Sequence, residues 1–117
     1  MRFQGRHGYY DHELRTPQPF EVDIEIVHNL QPAGTDDDLA KSVDYGRVYD
    51  AVRQIVESTS FRLLEALAEA ISHELLADFD VTEVGVRVRK PKVQLGGPLD
   101  YAGVEIWRQR SAGDRRT

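Results

Sequence analysis

A chain of 117 residues with a formal charge of −5 and a pI near 5.3 is long enough for one domain with one modest core. Its acidic balance argues against nucleic acid or an anionic membrane as the main partner, because both reward clustered Lys and Arg. The lack of cysteine excludes a disulfide framework and a thiolate metal site. No apolar stretch approaches the roughly 18 residues of a membrane span, and no signal-peptide core is visible, so a cytoplasmic protein is expected.

The first element is a short strand, Met1 to Gln4, broken by Gly5 and Gly8, and a polar, turn-rich stretch follows from Tyr9 to Pro17. Phe20, Val22, Ile24 and Ile26 then alternate with Glu21, Asp23 and Glu25, which predicts a half-buried strand with an acidic outer face. Between Asn29 and Asp44 the periodicity is lost, and a long connection is expected. Helical spacing returns from Tyr45 to Glu57, where Val48, Val52, Ile55 and Val56 share a face and Asp44 can act as N-cap. A second helix is predicted from Phe61 to about Ala77, capped by Ser60, with Leu64, Leu67, Ala68, Ile71 and Leu75 in its buried stripe. Glu65 falls at the margin of that stripe. Val81 to Lys90 reads as a third strand and Ala102 to Gln109 as a fourth, joined by a loop containing Gly96, Gly97 and Pro98.

The order strand, strand, helix, helix, strand, strand predicts an α+β domain over residues 1–109. A four-stranded antiparallel sheet would carry two helices on one face, followed by a flexible tail over 110–117. Its two unpaired edges invite pairing with another subunit. Arg87 and Arg89 on the outer face of the third strand can complement Glu21, Asp23 and Glu25 on the second.

Few charged residues stand at positions that demand an explanation. Lys90 is the most informative, because it ends the run Val84-Gly85-Val86-Arg87-Val88-Arg89-Lys90 in phase with the valines and therefore on the apolar side. Burying an ammonium group is costly unless it has a partner or a task, although a terminal lysine can also snorkel to water. Pro91 stops the strand immediately afterwards. Glu13 in the first loop, Glu65 on its helix and Tyr45 at a helix start complete the set.

Together these segments resemble the dihydroneopterin aldolase family from Phe3 to about Arg108. The resemblance is carried by Gly5-Arg6-His7-Gly8, Asp11-His12-Glu13, Gln18-Pro19-Phe20-Glu21-Val22-Asp23, Thr35-Asp36-Asp37, Ser42-Val43-Asp44-Tyr45, Phe61-Arg62-Leu63-Leu64-Glu65-Ala66-Leu67-Ala68 and Val86-Arg87-Val88-Arg89-Lys90-Pro91. It implies the tunnelling fold, ββααββ, with subunits joined edge to edge into a homo-tetramer or homo-octamer and sites shared between neighbours. The implied reaction cleaves 7,8-dihydroneopterin into 6-hydroxymethyl-7,8-dihydropterin and glycolaldehyde, using the pterin C=N as electron sink, with no metal and no cofactor.

Residue by residue, the resemblance makes Glu65 the pterin anchor, since a carboxylate can accept from the two parallel donors of the pterin edge. Leu64 and Val43 match positions whose backbone helps to hold the ring. Tyr45, expected from the adjacent subunit, matches an aromatic involved in proton transfer, Glu13 matches a carboxylate that orders substrate and water, and Lys90 matches the catalytic lysine, as base or as cation. The chain departs from the family at Pro17-Gln18-Pro19 and in Lys92-Val93-Gln94-Leu95-Gly96-Gly97. The family normally has further residues before the segment matching Met1-Arg2-Phe3, so that either the first strand is short or the given start lies downstream of the true one.

Within the enzyme class the competing reading is a C2′ epimerase of dihydroneopterin or its triphosphate, followed by an oxygenase forming 7,8-dihydroxanthopterin. A metal-dependent pyruvoyl-tetrahydropterin synthase is excluded because His7, His12, His28 and His73 form no His-x-His pair. Outside that class stands a non-catalytic pterin-binding ring protein.

Overall fold

The computed structural model describes residues 1–93 and 95–110. Four strands, β1 (Arg2–Gly5), β2 (Gln18–Val27), β3 (Glu83–Lys90) and β4 (Ala102–Gln109), form one sheet in the order β1-β2-β3-β4. Every neighbouring pair is antiparallel. Between β2 and β3 the chain forms a short helix α1 (Gln31–Asp36), then α2 (Tyr45–Ser58) and α3 (Leu64–Asp78). The expected α+β architecture is present, with α2 and α3 covering one face of the sheet.

The periodicities explain the layering. Val84, Val86 and Val88 of β3, with Phe20 and Val22 of β2, are fully buried against Val52 and Val56 of α2 and Leu67, Ala68 and Ile71 of α3. Each such aliphatic side chain contributes roughly 1.5–3 kcal/mol by leaving water. A one-residue slip of β3 would turn these valines to the helix-free face and bring Arg87 and Arg89 inside, so the register is strongly fixed.

On the helix-free face the arginines meet the acidic side of β2. Arg89 pairs with Asp23 at 2.7 Å and with Glu21 at 3.4 Å, and Arg87 bridges Glu25 on one neighbour and Glu105 on the other. The Arg89 hydrogen bond, with the nearby arginine charges, outweighs desolvation and holds Asp23 below the ordinary aspartate range. Gly85 and Trp107 are cross-strand partners on the same face. The indole lies so close over Gly85 that a Cβ there would come within 2.7 Å of three ring atoms.

Three differences from the sequence expectations have physical causes. First, α3 begins at Leu64, after Leu63, and Ser60 does not cap it. Phe61 spends both backbone groups on the N-terminal loop, its N–H donating to His7 Nδ1 and its carbonyl accepting from Gly8 N–H, so it cannot join the helix ladder. Second, the long connection contains α1 and a 3₁₀ turn, Leu39–Lys41. Neither buries a residue, so neither carries an apolar period. Pro32 sits in the first turn of α1 and Asp37 ends it in the left-handed conformation, at φ 50°. Third, Arg110, the first residue of the expected tail, is anchored. Its backbone N–H donates to Thr82 and its guanidinium to the carbonyls of Val81, Leu76 and Phe79, at the C-terminal end of α3. The rest of that tail, 111–117, lies outside the described residues.

Candidate active site

Lys90 is the last residue of β3, opposite Ala102, and its phase places it beneath the helices at the end of the valine row. Its side chain does not run out to water. Nζ lies 2.6 Å from Oε2 of Glu13, and the two side chains are only 15% and 13% exposed. A pair this far from solvent is held by its supporting hydrogen bonds as much as by attraction between the charges.

Glu13 reaches that position from a 3₁₀ turn, Asp11–Leu14, in the loop between β1 and β2. Gln18, the first residue of β2, donates to the same Oε2 at 3.2 Å, and the Tyr10 amide donates to Oε1 at 3.4 Å. Gly8 makes room: a Cβ there would stand 2.3 Å from Cδ of Glu13. Burial raises the pKa of the Glu13 carboxyl, but the hydrogen bonds from Lys90, Gln18 and Tyr10, with the Lys90 charge, outweigh it and leave the group below its ordinary range. Glu13 is therefore a carboxylate at neutral pH. A cavity of ≈ 380 Å³ opens beside the pair, lined by Tyr10, His12, Thr16 and Gln18 on one side and by Lys92 and Val93 on the other. That volume falls within the range that takes a small bicyclic ligand.

The remaining expected residues divide between two ends of the molecule. Leu64 and Glu65 open α3, three and four residues after Phe61, which is tied to His7 and Gly8. They belong to the same end as Lys90. Leu64 packs against the core, whereas Glu65, expected at a sheltered margin, is exposed. Val43 and Asp44 line a separate cavity of ≈ 510 Å³ with Phe79 and Asp80, just past the C-terminal end of α3. The 15 residues of α3, about 22 Å at 1.5 Å per residue, separate the two groups. Asp44 caps α2, accepting from Gly46 N–H at 2.9 Å, and so presents Tyr45, which is 85% exposed. One protomer thus brings Glu13 to Lys90, with Leu64 and Glu65 at the same end, and holds Val43 and Tyr45 far away.

Two residues that build the surroundings of the Lys90–Glu13 pair were missed. Gln18, between two prolines, gave no sign that its amide would hold Glu13. His7 is fully buried, and its signal was available: Phe3, Gly5 and His7 share one alternation phase and all are buried.

The model of the family described as "FolB: Dihydroneopterin aldolase" matches residues 1–107. The chain belongs to the dihydroneopterin aldolase family. It is 40% identical over 110 residues to a dihydroneopterin aldolase of Streptococcus pyogenes serotype M18, covering 93% of this chain and 92% of that one. It is also 41% identical over 107 residues to a dihydroneopterin aldolase of Methylorubrum extorquens, covering 91% of this chain and 82% of that protein. Among solved structures, the Escherichia coli dihydroneopterin aldolase in complex with neopterin superposes with a TM-score of 0.85 at 30% identity, over 92% of this chain and 91% of that chain. The ββααββ architecture is accordingly the tunnelling fold of this family.

Proposed function

We infer that the chain is an aldolase acting on 7,8-dihydroneopterin, releasing glycolaldehyde and 6-hydroxymethyl-7,8-dihydropterin on the route to folate. The family match and the relatives support the activity. The observation that carries the site assignment is the sheltered Lys90–Glu13 pair facing a ligand-sized cavity.

Cleavage begins when the C2′ hydroxyl of the substrate side chain gives up its proton. The freed electron pair forms the C2′=O of glycolaldehyde as the C1′–C2′ bond breaks. The electrons of that bond pass into C1′=C6 and onto N5, which takes a proton. C1′ then gains a proton and N5 loses its own, restoring C6=N5 in the product. The substrate supplies its own electron sink, so the protein has to position the side chain, move protons and balance charge. Lys90 handles the C2′ proton, as the base or as the cation beside a basic water. Glu13 orients that water and the side-chain hydroxyls. Glu65 accepts from the pterin edge, and the backbone of Leu64, at a helix start that no side chain caps, faces the same ligand.

Val43 and Tyr45 cannot reach this site within one protomer, and we assign them to the site of a partner subunit. The reading therefore includes a homo-oligomer, tetramer or octamer, closed through the free edge of β4. It also places the enzyme in the cytoplasm; among the described residues no helix is long and apolar enough to cross a membrane. Incubation of the pure protein with 7,8-dihydroneopterin decides the reaction. Glycolaldehyde release supports the aldolase. Conversion to the C2′ epimer alone would replace it with the epimerase, and pterin binding without turnover would leave only a binding protein. Subunit sharing is tested by reassembling Lys90→Ala and Tyr45→Ala proteins together, which should restore activity that neither has alone.

A further inference from the structure

His7 is used by none of the steps above, yet it is a polar side chain with no solvent exposure at all. Its ring is held on both edges. Nε2 lies 2.8 Å from the carbonyl of Val56, in the last turn of α2, and Nδ1 lies 3.0 Å from the backbone N of Phe61. A carbonyl can only accept and an N–H can only donate, so the arrangement requires the neutral imidazole with its proton on Nε2. The faces of the ring are packed as well: Phe20 meets it edge-on at 5.2 Å and Phe61 stacks at 5.9 Å.

The backbone beside this ring leads directly to the site. Gly8 N–H donates to the Phe61 carbonyl at 2.9 Å, and the Gln18 amide spans the His7 carbonyl and Glu13 Oε2. Gly8 in turn lies against the Glu13 side chain. One imidazole thus ties three segments together: the loop that presents Glu13, the end of α2, and the stretch that enters α3 at Leu64 and Glu65.

We propose that His7 is a positioning residue of this site, its Nε2-protonated imidazole holding the Glu13–Lys90 pair in register with the start of α3. The proposal rests on the aldolase reading for its activity measurements. Protonation of Nδ1 would set a second donor against Phe61 N–H and release the clamp. Among the charged groups on the surrounding elements, Glu57 pairs with Arg53, Arg62 with Asp11, and Glu13 with Lys90. Burial holds the pKa of His7 below its ordinary value, and the Val56 carbonyl offsets this only in part, in keeping with a ring that stays neutral while the enzyme works.

The test combines ¹⁵N NMR of the wild-type imidazole with His7→Phe and His7→Asn. The wild type must show a neutral, Nε2-protonated His7 at the pH of maximal turnover. A cationic or Nδ1-protonated ring there overturns the proposal without any variant. His7→Phe keeps the ring packing but loses both hydrogen bonds. It should cut kcat/KM about 100-fold, as expected for a site displaced by about an ångström, through both kcat and KM. His7→Asn keeps an acceptor near the Nδ1 position and should recover about tenfold of that loss. A folded His7→Phe enzyme within about threefold of wild type would show that His7 only fills space, and a His7→Asn enzyme no better than His7→Phe would show that the acceptor toward Phe61 N–H does not hold the site. Wild-type protein without aldolase activity would sink the earlier reading instead, and the ring's state would still be measured.

Discussion

The two ends of the molecule differ in how far each is finished within one chain. At the β3 end, Lys90 and Glu13 are mostly buried, paired at 2.6 Å and supported by Gln18 and the Tyr10 amide. At the far end of α3, Val43 lines an open cavity and Tyr45 projects from a capped helix start with most of its surface in water. The first end is preorganised, with its charges already in place before any ligand arrives. The second is a well-held aromatic with nothing to act upon. In the proposed oligomer the second end completes the first, so one contributes electrostatics and the other contributes surface.

The comparison makes predictions of decreasing size. Lys90→Ala should reduce turnover with 7,8-dihydroneopterin by about a thousandfold or more, with pterin binding retained in equilibrium titrations, because the group lost is the one proposed to handle the reacting proton. Survival of turnover would break the assignment of this end as the chemical one. Gly8→Ala should push Glu13 out of its position and cost about a hundredfold in kcat/KM, with a lowered melting temperature, since the added Cβ has no space. Tyr45→Phe should lower kcat about tenfold and change stability by under about 0.5 kcal/mol, because the side chain touches little within its own protomer. A large loss of stability would mean that this end is finished after all. Asp44→Ala should cost about 1 kcal/mol in denaturant unfolding through loss of the α2 cap.

The smallest predicted effect is on the pH dependence of stability. His7 has a folded-state pKa below 6.5, so as pH falls below about 6.5 the unfolded chain takes up a proton that the folded one refuses, and stability declines. Glu13 adds to the decline. Its folded pKa is also lowered, so its contribution is present above about pH 4.5 and is lost as pH falls through that lowered value. Unfolding midpoints should fall once the pH drops below about 6.5, and removing His7 should flatten the upper part of that fall.

What could be read from the sequence was whatever a single element decides. The phase of Lys90 follows from period two within β3, and the α2 cap follows from Asp44 alone. The acidic face of β2 and the arginines of β3 were matched because both strands alternate cleanly. The partner of Lys90 was not available in this way, since Glu13 lies 77 residues away on a turn with no period. Only the family resemblance put the two in one site. The start of α3 was misplaced for a related reason. Ser60 is a good local cap, but Phe61 is claimed by a loop 53 residues earlier, and that long-range demand overrides the local preference. Glu65 was read as sheltered because a helical wheel counts neighbours on its own helix and does not show what covers the next turn.

The contact between Gly85 and Trp107 has a practical consequence. This is the chain's single tryptophan, 38% exposed, lying flat over a residue without a side chain on the helix-free face of the sheet. Its emission is therefore an intrinsic optical probe, set in the outer strand and free of interference from a second indole. Closure of a neighbouring surface over β4 should shift that emission to shorter wavelength, so assembly could be followed by dilution in a fluorimeter without attaching a dye.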